Sequence, residues 1–379
     1  MRKHLAFLLC ICLLAGLLAG CSAAPGEQSL PAETVGPTVE PTPVSTPEPT
    51  PEPTPESTPE PTPESTPEPT PEPTPEPFRY VFQPKVCPSY MEEIFGAPMV
   101  ETWFSLVDAV LAGEDTFSCP DAETYFWVMG QFPGRCFPVL LELIDCCNDR
   151  DHPVQDGVAS FTYKLPPEEA AVRIGEFAAL VEGILNEALE EGDSELEKAL
   201  ALYHYFCHHY SYDYEAAHAE GEVDYLSSYR LLTQGKGICQ DISTAYSYIL
   251  LEAGLDATVM AGTRATDGAA HQWSYVRIHG HNFHIDPTYG VGNNDWLGYF
   301  MMTDRQRETV DNYPQKDFVI CSPYTQDHPH PDYTADDDSF RDIWRGRFLE
   351  LDKENKLLLF TREDALGPKN SGSFDYSGW

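Results

Sequence analysis

From Glu40 to Pro77 the chain repeats Thr-Pro-Glu-Pro and Ser-Thr-Pro-Glu with almost no apolar residue. A segment of this kind cannot bury enough surface to offset the entropy of ordering it, so it supplies no core. Proline at nearly every second position biases it toward extended polyproline II at roughly 3.1 Å per residue, a reach on the order of 100 Å. Residues 21–77 therefore read as a linker, and whatever folds must be built from residues 78–379. Those 302 residues, rich in Tyr, Phe and Trp, suffice for one large core with a helical N-terminal part.

Ahead of the linker, Arg2 and Lys3 precede an apolar run from Leu5 to Leu18, then Ala19-Gly20-Cys21. Residues 1–20 have the layout of a signal peptide, too short to span a bilayer as a mature helix. Leu18-Ala19-Gly20-Cys21 resembles the lipobox of bacterial lipoproteins. That resemblance implies a lipid anchor on Cys21, attachment to the membrane through it, and an extracytoplasmic location. The net charge of −38 argues against nucleic acid or anionic lipid as a partner.

Eight cysteines follow Cys21, at 87, 119, 136, 146, 147, 207, 239 and 321. An exported chain can form disulfides, but their pairing is not readable from spacing. The lack of any Cys-x-x-Cys pair speaks against a structural zinc site.

Periodicity predicts helices over residues 99–112, 167–191 and 194–210. The second is opened by Pro166-Pro167 and stopped by Gly192, and the third buries Leu196, Ala199, Leu200, Tyr203 and Cys207 on one face. Residues 158–165 alternate as a strand does. A further helix starts near Cys239, with Ile242, Ala245, Tyr246, Ile249, Leu250 and Ala253 on one face and Gly254 closing it. Strands are expected over 257–261, 272–278 and 283–286, the last two joined through Gly280. A final strand pair is expected over 348–351 and 356–360.

Cys239 thus stands at a helix N-terminus on the inward side. Free amides and partial positive charge there favour a thiolate and can bind a developing oxyanion. The glycines before it, Gly235 and Gly237, let the backbone pass close to a substrate. A nucleophilic thiol needs a base, and the base an orienting acceptor. His271 begins one strand and Asp286 ends the next. Pairing residue 279 with 282 puts both on one face, although offset along the strands. His204 and His208 stand four apart on a helix without the Glu of a zinc-protease motif, and read as solvated or core residues. The His279–His284 and His328–His330 clusters read as surface. Neither metal nor cofactor is expected.

Gly237-Ile238-Cys239-Gln240-Asp241, His271-Gln272-Trp273 and Asp286-Pro287-Thr288, in that order, resemble the transglutaminase-like superfamily. Tyr210–Asp213, Gly254-Leu255 and the strand-like Phe300–Asp304 extend the likeness over residues 158–310. The resemblance implies an α+β, papain-like core in which the Cys239 helix packs on an antiparallel sheet. It also implies roles: Cys239 as nucleophile, His271 as base then acid, Asp286 orienting the imidazole. Trp273 would pack beside the base in the cleft, and Gln234, Tyr225 and Tyr229 are candidate side-chain oxyanion donors. Asn282 stands where bacterial members often carry Trp. The organisation expected is a helical region over 78–157, the core over 158–310 and an extension over 311–379. The expected activity is cysteine-dependent acyl transfer on peptide or protein amides, hydrolysis ahead of transamidation. The alternative is a silent surface binding module that uses the same cleft.

Overall fold

The structure is a computed structural model that describes residues 78–146, 154–219, 227–264, 270–309, 318–320, 334–362 and 370–379. Cys21, the signal-like segment, the linker, Tyr225 and the 328–330 histidines lie outside the described residues. Among the described residues, no helix is long and apolar enough to cross a membrane.

Helices α1 (Tyr90–Phe95), α2 (Ala97–Ala112) and α3 (Ala122–Gly130) form the N-terminal part. They pack through Trp103, Leu106, Val107, Trp127 and Phe132, all buried. A small antiparallel sheet, β1 (Thr116–Ser118), β2 (Val154–Gln155) and β3 (Val158–Ser160), has the order β1-β3-β2. Only three residues of the strand expected over 158–165 are in it. The rest makes one isolated bridge, Tyr163 with Ile144, before Pro166 turns the chain into α4 (Pro167–Ala188).

Helix α5 (Glu195–His209) carries a full capping box. Ser194 Oγ accepts from the Glu197 amide at 3.3 Å, and Glu197 Oε2 accepts from the Ser194 amide at 2.7 Å. Two short parallel strands, β4 (Ser211–Tyr212) and β5 (Lys236–Gly237), frame α6 (Ser228–Gln234).

Helix α7 (Cys239–Glu252) is buried from Asp241 through Glu252, so it is a central helix and not a surface amphipath. Its polar side chains find partners inside. The Tyr246 hydroxyl donates to the Ala199 carbonyl at 2.8 Å and the Tyr248 hydroxyl to Glu252 at 2.6 Å. Aromatic rings from α4 and α5 close over it, with Phe177 stacked on Tyr248 and Phe206 edge-on to Tyr246.

Strands β6 (Asp256–Arg264), β7 (Ala270–Ile278), β8 (His281–Ile285) and β9 (Phe318–Ile320) form the main sheet, ordered β8-β7-β6-β9 and antiparallel throughout. Two expectations change here. The sheet draws its fourth strand from beyond residue 310. The turn joining β7 to β8 pairs Ile278 with His281, leaving only His279 and Gly280 between them, at φ 49° and 80°. Positive φ at both central positions is the twist-matched two-residue hairpin turn. The register differs by two residues from the pairing of 279 with 282.

Phe300–Asp304 is not a strand. It makes a single bridge, His284 with Met302, and leads into α8 (Asp304–Thr309). The C-terminal pair gains a third strand: β10 (Gly346–Asp352), β11 (Leu357–Arg362) and β12 (Asn370–Asp375) in that order. It docks on the start of α5, where the buried Glu197 carboxylate accepts from Lys356 Nζ and the Tyr376 hydroxyl, both at 2.8 Å.

Candidate active site

Cys239 is the first residue of α7 and is half-buried. Ile238 before it is extended, and its amide donates to Asp241 Oδ2 at 2.9 Å, so the helix start is closed by its own third residue. The first-turn amides of any helix have no partner within it, and the thiol stands among them. Gly237 serves this start and not a substrate. A Cβ there would stand 2.8 Å from Asp241 Cβ, 2.9 Å from its Oδ2 and 3.1 Å from Leu231 Cδ1. Asp241 is buried, and burial pushes its carboxyl up to about 6 despite the Ile238 amide and the charge of Arg230.

Strands β7 and β6 are tied to the helix by three side chains. Gln272 Nε2 donates to Thr244 Oγ1 at 2.8 Å, Ser243 Oγ at 3.0 Å and the Gln240 carbonyl at 3.1 Å. Ser274 Oγ donates to the Ser243 carbonyl, and Ser247 Oγ to the Thr258 carbonyl on β6. These bonds set the position of His271, one residue before Gln272, relative to Cys239.

His271 Nε2 and Asp286 Oδ2 are 2.6 Å apart, with His271 7% and Asp286 0% exposed. The other ring nitrogen is left for the Cys239 thiol, which makes a side-chain hydrogen bond with the imidazole. Burial opposes a charge on His271. The Asp286 charge, its hydrogen bond and the bond with Cys239 outweigh burial and raise the imidazole to about 10. The geometry thus brings together the three residues singled out in the sequence. It forms a line of thiol, imidazole and carboxylate that favours a protonated ring beside the sulfur.

Behind the line lies a layer of which the sequence reading gave only Trp273, and His284, read there as surface, is buried. The Trp273 indole N–H donates to His284 Nδ1 at 3.0 Å, and His284 Nε2 donates to Asp304 at 2.8 Å. Burial, with the repulsion of Arg307, holds the His284 ring below its usual range, consistent with the neutral tautomer these bonds require. Trp273 is fully buried with its N–H committed, so it walls the base and is unavailable as an oxyanion donor.

The Arg307 guanidinium carbon lies 3.1 Å from the Trp273 ring centroid, and its Nε and Nη2 have no hydrogen-bond partner among the described residues. Burial lowers its guanidinium to about 9, and the Asp286 charge is the first influence that opposes this. No local pattern announces Arg307, which reaches the site from a short helix after the Asp motif.

Gln234, the last residue of α6, is exposed and followed by Gly235 in the left-handed conformation. Tyr229 packs on Phe177 with ring centroids 5.7 Å apart and the rings tilted by 37°. Asn282 accepts from Arg277 and donates to the Thr334 carbonyl, on the outer strand of the sheet. Cys87, Cys119, Cys136, Cys207 and Cys239 are unpaired thiols.

A family model described as the transglutaminase-like superfamily matches residues 182–287. This stretch is a transglutaminase-like domain. It contains Cys239, His271 and Asp286, and ends one residue after the last of them. Among solved structures, a transglutaminase is 21% identical with TM-score 0.27, over 36% of this chain and 42% of that one. A protein from Cytophaga hutchinsonii described as a candidate cysteine protease is 18% identical with TM-score 0.21, over 26% of this chain and 32% of its own. Legionella pneumophila LapG is 14% identical with TM-score 0.23, over 31% of this chain and 64% of its own. The chain spans less than half the length of the first two. No curated protein matches it. The α+β architecture, a cysteine helix against an antiparallel sheet, accords with the transglutaminase-like domain.

Proposed function

We propose that the chain is a cysteine-dependent acyl-transfer enzyme that acts on amide bonds of peptides or proteins, and hydrolyses them in preference to passing the acyl group to an amine. The observation that carries the reading is the thiol–imidazole–carboxylate line, with His271 buried and held by Asp286 at 2.6 Å, which favours its protonated form. The Cys239 sulfur attacks the carbonyl carbon, and the oxyanion is met by the helix-start amides, including that of Cys239 itself. His271 gives its proton to the leaving amine, and a thioester remains on Cys239. His271, now neutral, takes a proton from water, whose oxygen attacks the thioester and releases the acid. Asp286 keeps the ring in orientation and offsets its charge through both halves.

Hydrolysis is favoured because water is abundant outside the cell and nothing in the sequence marks a site for a lysine acceptor. The location belongs to the same proposal: a lipid on Cys21 anchors the chain, and the proline-rich spacer sets the domain off from the membrane. The net charge of −38 favours neutral or basic substrates.

The test is the rate of Cys239 alkylation against pH, with and without His271→Ala, beside turnover of peptide amides with Cys239→Ala as control. Labelling that stays fast below about pH 7, where an ordinary thiol near 8.5 is protonated, and that slows on loss of His271 is the expected result. Slow labelling indifferent to His271, with no turnover, would replace the enzyme by a binding module that uses the same cleft.

A further inference from the structure

Helix α5 carries His204 and His208 one turn apart, and their rings lie 4.4 Å from centroid to centroid. Both converge on one carboxylate from a distant segment. His204 Nδ1 is 2.9 Å from Asp295 Oδ1, and His208 Nε2 is 2.9 Å from Asp295 Oδ2. The three ligand-type atoms lie within 4.8 Å of one another. Among the described residues, the ion pairs of Asp295 are with these two histidines alone. The side chains remain open to water, 43%, 35% and 19% exposed in the same order.

The loop that brings Asp295 here is fastened on both sides. The Gly292 amide donates to the Tyr210 carbonyl at 3.1 Å and the Asn293 amide to the Cys207 carbonyl at 2.8 Å, so the loop is pinned to the end of α5. The Asp295 carbonyl accepts from the Phe348 amide at 2.8 Å, and the Asn294 carbonyl from Arg347 at 2.9 Å, which pins it to β10. Asn293 and Asp295 sit at φ 66° and 32°, the left-handed region that Asn and Asp enter more readily than other non-glycine residues. The backbone is thus held by these bonds in the arrangement that places a carboxylate between two imidazoles.

We propose that His204, His208 and Asp295 bind one divalent transition-metal ion of the zinc class, with water in the remaining coordination position. Two imidazole nitrogens and a carboxylate oxygen are the ligand set such an ion prefers, whereas calcium and magnesium take oxygen donors. Ligands about 2.1 Å from a shared tetrahedral ion stand about 3.4 Å apart, so binding would open the 2.9 Å His–Asp contacts and draw the three atoms, now within 4.8 Å, around the ion. The ion would staple the end of α5 to the loop that follows Asp286, and so would hold the segment on which the carboxylate of the candidate triad depends. The proposal is independent of the cysteine chemistry.

The experiment uses the full chain carrying Cys239→Ala, which removes the competing thiol, and Zn2+ titrated against a chromophoric chelator. Co2+ spectra and the thermal unfolding midpoint are read in parallel. One equivalent bound at micromolar affinity or tighter, visible Co2+ d–d bands of a low-symmetry site, and a Zn2+-dependent rise in the midpoint are expected. Asp295→Asn, which keeps the side chain's size but replaces one acceptor oxygen by a donor, and His208→Gln should each weaken binding on the order of 100-fold and remove the d–d bands. Should His208→Gln unfold, the Asp295→Asn chain decides alone. No stoichiometric uptake, or uptake unchanged in Asp295→Asn, would overturn the site.

Discussion

His271 and Asp286 meet across a hairpin whose register leaves them one pleat apart. The pairing of Ser274 with Ile285, continued by one residue, sets Asp286 opposite Trp273, two residues from His271 on the same face. That diagonal is short enough for the 2.6 Å contact without a bulge. Asp286→Asn preserves the shape but offers the ring a neutral partner that stabilises the imidazolium poorly. The expected loss in kcat on a peptide amide is on the order of 10³-fold with KM nearly unchanged. Steady-state kinetics on the purified variant checks it, and a fall confined to KM would count against the role given to Asp286.

Two buried groups near the thiol both lower stability as pH rises, each in its own window. His271 is raised to about 10, so the native state holds its proton more tightly than the unfolded chain. The stability this brings is full below about pH 6.5, the unfolded value, and is lost as pH rises toward 10. Asp241 is raised to about 6. The native state is therefore favoured while this carboxyl is protonated, and stability drops as pH climbs from about 3.9 through 6. In urea titrations, His271→Gln should cost more at pH 6 than at pH 10. Asp241→Asn should gain about 1–2 kcal/mol at pH 8 and almost nothing at pH 4.

Gly237→Ala should destabilise by about 1–3 kcal/mol, the range for an overpacked interior. The added methyl would collide with Asp241 Cβ at 2.8 Å and push the carboxylate off the Ile238 amide. A lower urea midpoint together with slower Cys239 alkylation is the expected signature. A variant as stable as the parent would show that the helix start yields freely.

The three residues of the line were legible because each sits at the edge of an element whose pattern is strong. Cys239 opens an apolar helix, His271 begins a strand and Asp286 closes one. Their register was less legible, since the hairpin turns on two positive-φ residues and His279 is not a residue that announces one. Gln272 stands openly between His271 and Trp273, yet its task depends on Ser243 and Thr244 across the interface, which no periodicity relates to it. Arg307 and Asp304 approach from behind the sheet. The sequence shows His204 and His208 only as a solvated pair, because the carboxylate they share lies 87 residues from His208. Likewise the fourth strand of the main sheet comes from residues 318–320, where no alternation is visible.

Glu197 is buried inside the stretch that matches the family model, yet the donors to its Oε1, Lys356 and Tyr376, come 159 and 179 residues later. Glu252, also buried and inside the match, accepts at 2.9 Å from the amide of Gln83, 169 residues earlier. The match is therefore not a portable cassette. A recombination event or an expression fragment bounded at 182 and 287 would carry two interior carboxylates away from the groups that answer them. Inheritance of this site as a working piece requires at least the chain from Gln83 through Tyr376.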